Sequence, residues 1–271
     1  MAAGKTAGTE AAVNGDPVVI RKCQRLDEMQ ACVRLQKAVW GFSDADLVPL
    51  RLFVVAEKVG GQVIGAFAGD QMVGFALAIP GYRNRKPYLH SHMLAVSQQL
   101  RNAGLGRRIK LFQREDALEK GVDLIEWTFD PLEIKNAYLN IEKLGAIARR
   151  YIPNQYGITS SPLQGGLPTD RLVAEWWLNS SRVIGLLNAG ATPETHAEIT
   201  IAVPGQISEW KSSVADKSRA LKTQNLIRED FENAFRQSLA VVGYQRDHAG
   251  NGTFLLGRWN PELAVTSNNE N

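Results

Sequence analysis

Two histidines and two glycines in one stretch of the chain have spacings suited to proton transfer and to anion binding. His90 and His92 are two residues apart and therefore share one face of a strand, where an imidazole can carry a proton near neutral pH. Gly104 and Gly106 stand between an apolar run and a helical segment, so backbone N–H groups and a helix N-terminus can converge on a phosphate. The stretch 90–106 predicts a phosphate-binding turn beside a proton path; packed, hydrogen-bonded strand histidines are the alternative.

Acidic, phenolic and guanidinium groups further along the chain are candidates for the rest of a site. Glu126 lies in a predicted strand and is a candidate base, or a contact for a substrate ammonium group. Tyr138 lies on a predicted helix and is a candidate acid, or else a core aromatic residue. Arg150 and Arg171 could bind a carboxylate through paired hydrogen bonds, and Arg149 is a candidate for the same role. The alternative for Arg171 is a surface Asp–Arg pair.

Hydrophobic periodicity predicts the elements that must position these residues. The order is strand, helix, hairpin, then strand–helix–strand–helix–strand. The predicted elements are strand 18–21, helix 26–39, hairpin strands 63–68 and 72–79, strand 88–96, a helix from 104 to about 120, strand 122–129, helix 134–144 and strand 146–151; 51–59 is a helix or a strand. Crossover connections place neighbouring strands parallel, so we predict an α/β (α+β mixed) sheet with helices on both faces.

The second half of the chain is predicted to elaborate that core. Residues 152–196 are interrupted by prolines and glycines and are predicted to form an irregular connecting segment. Residues 197–265 are predicted to add a strand, a helix over about 218–242 and a hairpin turning at Asn251–Gly252, packed on the core. The remaining expected boundaries are a core at 17–151 and flexible tails at 1–16 and 266–271.

Composition excludes several classes of protein. The 271 residues carry a net charge of +3, with 44% hydrophobic and 22% charged residues, which is ordinary globular composition and gives no electrostatic argument for nucleic acid. No apolar run approaches the roughly 18 residues of a membrane span, and residues 1–16 lack the apolar core of a secretory signal. Cys23 and Cys32 fit neither a disulfide framework nor a metal spacing. We expect a cytoplasmic protein without a metal, a nucleic-acid partner or a membrane partner.

Two motifs at a characteristic separation carry a resemblance to a known superfamily. The run Arg101–Gly106 follows the pattern Arg/Gln-x-x-Gly-x-Gly/Ala after an apolar strand, and Asn136 opens a predicted helix that ends at Gly145. Over about 18–151 the sequence resembles the GNAT N-acetyltransferase superfamily, and its long C-terminal half is similar to that of an extended subgroup. The run His90–Val96 also resembles that of the arylalkylamine N-acetyltransferases, in which paired histidines serve as a proton path.

The resemblance implies the GNAT acyl-CoA N-acyltransferase fold with a C-terminal α/β elaboration, and direct transfer of an acyl group to an amine. It implies acetyl-CoA or another short acyl-CoA, such as succinyl-CoA, as co-substrate, and a small amine or amino acid as acceptor. The turn would bind the pyrophosphate, and the strand end would pair with the pantetheine and polarise the thioester carbonyl. The implied cofactor-binding residues are Leu94, Ala95, Val96, Arg101, Asn102, Ala103, Gly104, Leu105, Gly106, Arg107 and Asn136.

One position departs from the superfamily pattern. GNAT enzymes often carry a Tyr four residues before the Gly that ends the second motif, where this chain has Ile141. Tyr138, almost one turn earlier, could substitute, or water could protonate the leaving thiolate. The departure supports an alternative, a non-catalytic acyl-CoA-binding or interaction module with the same fold. The superfamily often dimerises, so a homodimer is a further expectation.

Overall fold

The computed structural model describes residues 12–13, 16–157, 159–189 and 196–259 and divides the chain into two compact units. The first unit contains Met1–Pro80 and Ser91–Asp116, and the second contains Gly81–His90 and Ala117–Asn271. Both units combine helices with strands, which confirms the predicted α/β class. Most of the two expected tails, namely residues 1–11, 14–15 and 266–271, lies outside the described residues.

The first unit begins with strands that pair antiparallel in chain order. Its elements are β1 (Ala12–Val13), β2 (Asp16–Lys22), α1 (Leu26–Trp40), α2 (Leu50–Lys58), β3 (Gln62–Ala68), β4 (Gln71–Arg83), β5 (Lys86–Val96) and α3 (Leu105–Glu119), of which β4, β5 and α3 continue into the second unit. The pairs β1–β2, β2–β3 and β3–β4 confirm the predicted hairpin. The α1 helix ends at Trp40, one residue beyond the predicted helix 26–39, and the φ of 64° at Gly41 lets the Gly41 N–H donate to the Lys37 carbonyl.

Two clusters of buried apolar side chains form the core of the first unit. One surrounds Phe53 and Phe75, whose ring centroids lie 5.8 Å apart, and it also holds the free thiols of Cys23 and Cys32. The other surrounds Ile109 on α3 and apolar residues of β3 and β4. Burial of these side chains fixes the axis of α3, and therefore the direction in which its N-terminus points.

A buried chain of polar groups accompanies this apolar core. The Lys110 ammonium, only 2% exposed, donates to Ser91 Oγ at 2.8 Å, and Ser91 Oγ donates to Gln113 Oε1 at 3.1 Å. Gln62 Nε2 donates to the Gln113 carbonyl at 2.8 Å and to Asp116 Oδ2 at 2.9 Å. Burial lowers the pKa of Lys110 to about 7, because the ammonium form loses its water.

The second unit contains a mixed sheet in the order β5-β6-β8-β7-β10-β11-β9. The β5–β6 pair is parallel and sets His90 opposite Glu126, whereas the other pairs are antiparallel, which confirms the predicted mixed sheet. Its further elements are β6 (Leu124–Phe129), α4 (Ile134–Tyr138) with a π-helical turn (Leu139–Lys143), β7 (Ile147–Ile152), β8 (Arg171–Trp177), α5 (Ser181–Ala189), β9 (Ile199–Val203), α6 (Ile207–Ser212), α7 (Lys217–Arg236), β10 (Leu239–Arg246) and β11 (Gly252–Arg258).

The segment 152–196 corrects a sequence-based expectation, because much of its described part is regular. Residues 171–177 form β8, which lies between β6 and β7 and is largely buried, and 181–189 form α5. Pro153, Pro162 and Pro168 precede β8, and no proline lies within β8 or α5. The two strands expected to be parallel neighbours, β6 and β7, are therefore separated by an antiparallel strand.

Two boundaries also differ from the prediction, in each case at backbone with positive φ. The α7 helix ends at Arg236, because Ser238 has a φ of 59°, and the β-branched run that follows begins β10. Strand β4 continues to Arg83, because Asn84 and Arg85 have φ values of 51° and 62° and turn the chain directly into β5. The chain between the predicted strands 72–79 and 88–96 is therefore a two-residue hairpin turn at Asn84 and Arg85.

A buried carboxylate orders the loop before β8. Asp170 is 1% exposed and accepts two hydrogen bonds from Arg228 on α7, from Nε at 2.8 Å and from Nη2 at 3.0 Å. It also accepts a bond from the Tyr151 hydroxyl at 2.7 Å and from the Asn154 N–H at 2.9 Å. The side chain therefore joins β7, the following loop and α7 through one charged centre.

The C-terminal hairpin holds a buried hydroxyl that forms no hydrogen bond among the described residues. Tyr244 is 2% exposed and its Oη lacks an acceptor or donor, while a Cβ at Gly252 would overlap that hydroxyl. We expect Tyr244→Phe to leave the free energy of unfolding unchanged or raise it by about 1 kcal/mol, since an orphaned buried hydroxyl costs desolvation. Urea denaturation measures the change. Tyr151→Phe is the matched control. Its free energy of unfolding should fall by about 1 kcal/mol, because the Tyr151 hydroxyl is bonded to Asp170. Equal losses in the two variants would contradict the prediction.

Candidate functional site

The predicted site residues fall in both units, and the first unit holds the turn from Arg101 to Gly106. Strand β5 ends at Val96 and a short 3-10 turn, Gln98–Leu100, follows. Asn102 and Gly104 have positive φ values of 65° and 78°, so the backbone reverses twice before α3 begins. No heavy atom lies within 4 Å of the position that a Cβ would occupy on Gly104, so that face of the turn is open.

The backbone donors of this turn are available to an anion. The N–H groups of Gly104, Leu105 and Gly106 meet no acceptor among the described residues, since the first hydrogen bond of α3 runs from the Arg108 N–H to the Gly104 carbonyl at 3.1 Å. They lie at the positive end of a 15-residue helix. Arg101 is exposed, with one bond to the Val39 carbonyl at 3.2 Å, and adds positive charge. Donors, helix end and charge fit a phosphate or pyrophosphate group.

The end of β5 packs directly against the turn. Ala95 is fully buried, whereas Leu94 and Val96 are half-buried and each lies 3.9 Å from the position of a Cβ on Gly106. Alanine would therefore fit at Gly106 without displacing its neighbours, which agrees with the Gly/Ala choice in the superfamily pattern. The predicted strand-end contacts and the predicted phosphate contacts thus form one continuous local structure.

The two histidines lie on the less buried side of β5. Leu89, Ser91 and Met93 are buried, whereas His90 is half-buried and His92 is exposed, so the alternation predicted from the sequence is present. The surrounding protein partly removes the water around His92, and this loss of solvation lowers the pKa of the imidazole. A neutral imidazole at pH 7 can accept a proton.

In the second unit, Glu126 belongs to a cluster of charged side chains. It lies opposite Glu175 across the β6–β8 pair, and both carboxylates are buried. Arg83 forms two hydrogen bonds to Glu126, one of them from Nη1 at 3.2 Å, and Arg150 Nη2 donates to the same carboxylate at 2.6 Å. Arg149 Nη2 donates to Glu175 at 2.6 Å. Three arginines therefore neutralise two buried glutamates.

A β-bulge explains how two consecutive arginines reach the same carboxylates. The register between β7 and β8 shifts between Ala148 and Arg150, so Arg149 is the extra residue. In a regular strand Arg149 and Arg150 would point to opposite faces. At the bulge both meet Glu175, from Arg149 Nη2 at 2.6 Å and from Arg150 Nε at 3.6 Å.

The cluster gives Glu126 and Arg150 partners that the sequence did not reveal. The oxygens of Glu126 face two guanidinium groups, an arrangement typical of a residue that positions charge rather than one that abstracts a proton. Glu175 and Arg83 were not predicted. A lone acidic residue in the apolar run 172–177 was the available signal, because a buried carboxylate requires a partner.

Tyr138 and Asn136 lie on the short helix α4, as expected, but the helix then changes geometry. Asn136 is exposed and Tyr138 is half-buried, with Lys143 Nζ 5.1 Å and the Arg246 guanidinium carbon 5.8 Å from its ring centroid. The π-helical turn begins directly after Tyr138, and Ile141 within it is fully buried. Such turns insert one residue into a helix and change the direction of the side chains that follow.

Arg171 is engaged locally and is not in the glutamate–arginine cluster. Its Nη1 donates to the Asp170 carbonyl at 2.8 Å and its Nη2 to Gln164 Oε1 at 3.2 Å, and its guanidinium lies over the Tyr156 ring. The predicted alternative, a surface Asp–Arg pair, does not form, because the Asp170 carboxylate is buried and bonded to Arg228, and the bond from Arg171 to Asp170 goes to the backbone carbonyl. Arg150 and Arg171 therefore lie in different surroundings.

Neither a metal-binding group nor a membrane-spanning helix is found among the described residues. They contain no group of three or more His, Cys, Asp or Glu side chains placed to hold a metal ion. None of their helices is both long enough and apolar enough to cross a bilayer.

Comparison with known proteins gives structural matches only, since neither a family model nor a curated protein matches the sequence. A candidate acetyltransferase of the GNAT family from Desulfovibrio desulfuricans is 15% identical, with a TM-score of 0.49, over 59% of this chain and 99% of that one. The ribosomal-protein-S18-alanine N-acetyltransferase of Escherichia coli is 14% identical, with a TM-score of 0.46, over 58% of this chain and 92% of that one. An aminoglycoside 6'-acetyltransferase type Ii is 20% identical, with a TM-score of 0.47, over 59% and 97%.

Proposed function

We propose that the protein is an acyl-CoA-dependent N-acyltransferase that transfers acetyl, or another short acyl group such as succinyl, directly to a small amine or amino acid. The observation that carries the proposal is the turn Arg101–Gly106. Its open glycine, its unbonded N–H groups and its helix end match what the pyrophosphate of CoA requires. A cytoplasmic location, a homodimer and the absence of nucleic-acid and membrane partners stay predictions.

The chain's own residues supply the remaining roles in this proposal. Acyl-CoA brings an acyl group activated as a thioester, and the turn and the strand end at Leu94–Val96 hold it. His92, with its lowered pKa, accepts the proton that the acceptor ammonium must lose before attack. Tyr138 is the proposed donor of a proton to the leaving thiolate. His90 is proposed to pass protons along the same strand, and Arg150 and Arg171 are proposed to contact substrate.

A glutamate at the turn should abolish most CoA binding. In Gly104→Glu a carboxylate would stand among the N–H groups meant for phosphate, so we expect the Kd for CoA in isothermal titration to rise at least about tenfold. Gly121→Glu is the matched control, because Gly121 also has a positive φ, of 70°, and open space around its Cβ position, but follows the C-terminal end of α3. Equal loss of CoA binding in both variants, or none in Gly104→Glu, would overturn the cofactor assignment.

The buried Ile141 favours a second candidate, a non-catalytic acyl-CoA-binding module, because no hydroxyl occupies the superfamily's usual position for the acid. Release of free thiol from a panel of acyl-CoAs, offered with pools of amines and amino acids, separates the two functions. Turnover that depends on both donor and acceptor supports the enzyme. Tight CoA binding without thiol release from any donor supports the binding module.

A further inference from the structure

A surface cleft in the second unit brings several charged and aromatic side chains together. It lies between β7 and α7, has a volume of about 390 Å³ and is lined by Arg149, Arg150, Tyr151, Glu232, Phe235 and Arg236. That volume is within the range, roughly 300 to 1,000 Å³, of small-molecule sites. The proposed CoA-binding residues Leu94–Arg107 belong to the other unit, so the cleft is considered on its own.

The two arginines of β7 are held in place before any ligand binds. Glu126 and Glu175, both buried, accept bonds from Arg150 and Arg149 and fix the direction of each guanidinium. Arg149 Nε is buried and has no acceptor among the described residues. A guanidinium that is already oriented loses little conformational entropy when it binds an anion.

Charge and shape together indicate the class of ligand. With Arg83 and the two buried glutamates that they pair with included, the arginines at the cleft carry four positive charges against three negative ones, a net charge of +1, so an anion is favoured. Phe235 and Tyr151 provide aromatic surface beside these charges, which favours a ligand with a flat apolar body. We propose that the cleft is a binding site for a small organic carboxylate whose apolar body rests against Phe235.

Fluorine-detected NMR titration of the full chain with fluorobenzoate tests the proposal, with fluorobenzamide as the neutral probe of the same shape. Fluorobenzoate should bind at least about tenfold more tightly than fluorobenzamide, the difference expected of one charge-assisted hydrogen bond. Inorganic phosphate is the third probe. Phosphate that binds while fluorobenzoate does not would overturn the assignment to a carboxylate.

Two variants of α7 test the position without disturbing the buried glutamates. Arg236→Gln should weaken fluorobenzoate binding about tenfold, and Glu232→Gln should strengthen it about threefold by removing a like charge. Lys222→Gln and Glu229→Gln remove the same charges from exposed positions of the same helix outside the cleft. If the two controls change fluorobenzoate binding as much as the cleft variants do, the changes reflect the overall charge of the protein, and the proposed site is overturned.

The tests of the cleft and of the proposed acyltransferase function are separate, although Arg150 takes part in both proposals. Gly104→Glu should leave fluorobenzoate binding unchanged, and Arg236→Gln should leave CoA binding unchanged, because their residues belong to different units. Failure of the parent protein to bind CoA, while it still binds fluorobenzoate, would refute the proposed function and leave the carboxylate site standing. Failure of fluorobenzoate to bind, while CoA still binds, would refute the carboxylate site and leave the proposed function standing.

Discussion

Asp170→Ala is expected to lower the free energy of unfolding by about 3 kcal/mol, the lower end of the cost of breaking a buried ion pair, because Asp170 is buried and Arg228 is partly exposed. The substitution removes four acceptor bonds and leaves the partly buried Arg228 guanidinium without its carboxylate partner. Urea denaturation with a full baseline measures the change from the shift in midpoint. For a domain near the usual stability range such a loss is a large fraction of the total.

Two variants separate the buried charge from ordinary polar contacts. Asp123→Ala removes an exposed carboxylate that is bonded to Asn179 and should change the free energy of unfolding by less than about 1 kcal/mol. The double variant Asp170→Leu/Arg228→Met removes both charges and should recover a substantial part of the loss, since paired replacement avoids an isolated ion. A loss from Asp170→Ala no larger than that from Asp123→Ala would contradict the prediction.

The buried Lys110 should make stability increase with pH over an unusual range. Its pKa falls from 10.5 to about 7 on folding, so between these values the unfolded chain binds a proton that the folded chain releases. The free energy of unfolding should therefore rise by up to about 1.4 kcal/mol per pH unit, about 5 kcal/mol in total, from pH 7 to 10.5. Below about pH 7 both states are protonated and this contribution is constant.

The difference between the protein and a variant isolates this effect from other titrating groups. Lys110→Met should be more stable than the parent near pH 7, and that advantage should shrink steadily as the pH rises toward 10.5. Lys120→Met removes a lysine from an exposed position after the same helix, and subtracting its curve accounts for the general effect of replacing a lysine by methionine. A constant difference for Lys110→Met would mean that the buried amine keeps its proton.

The parts of the fold that sequence predicted well depend on local signals. The turn Arg101–Gly106 needs a positive φ and open space at Gly104, and a glycine in the sequence indicates both. The shared side of His90 and His92 follows from the two-residue period of any strand. The C-terminal hairpin was recognisable from Asn251–Gly252 between two apolar runs, and its strands do pair.

The features that sequence did not reveal depend on contacts between distant residues. Strand β8 lies between β6 and β7 because of pairing with both, and no local pattern states which strands a segment will join. The same holds for Glu126, whose arginine partners come from positions 43 and 24 residues away. The end of the predicted α7 was misplaced because apolar spacing continues into β10, and only the backbone at Ser238 separates the two.

The bulge at Arg149 means that the charge of the cleft is encoded by the length of a strand as well as by its residue types. A protein with identical residues but one fewer in β7 would return to a regular pleat, and one of the two arginines would leave the carboxylates. Insertions and deletions, not only substitutions, could therefore have created or removed this site among related sequences. Aligning such sequences by residue similarity alone would overlook it, because the two forms would look alike except for a single gap.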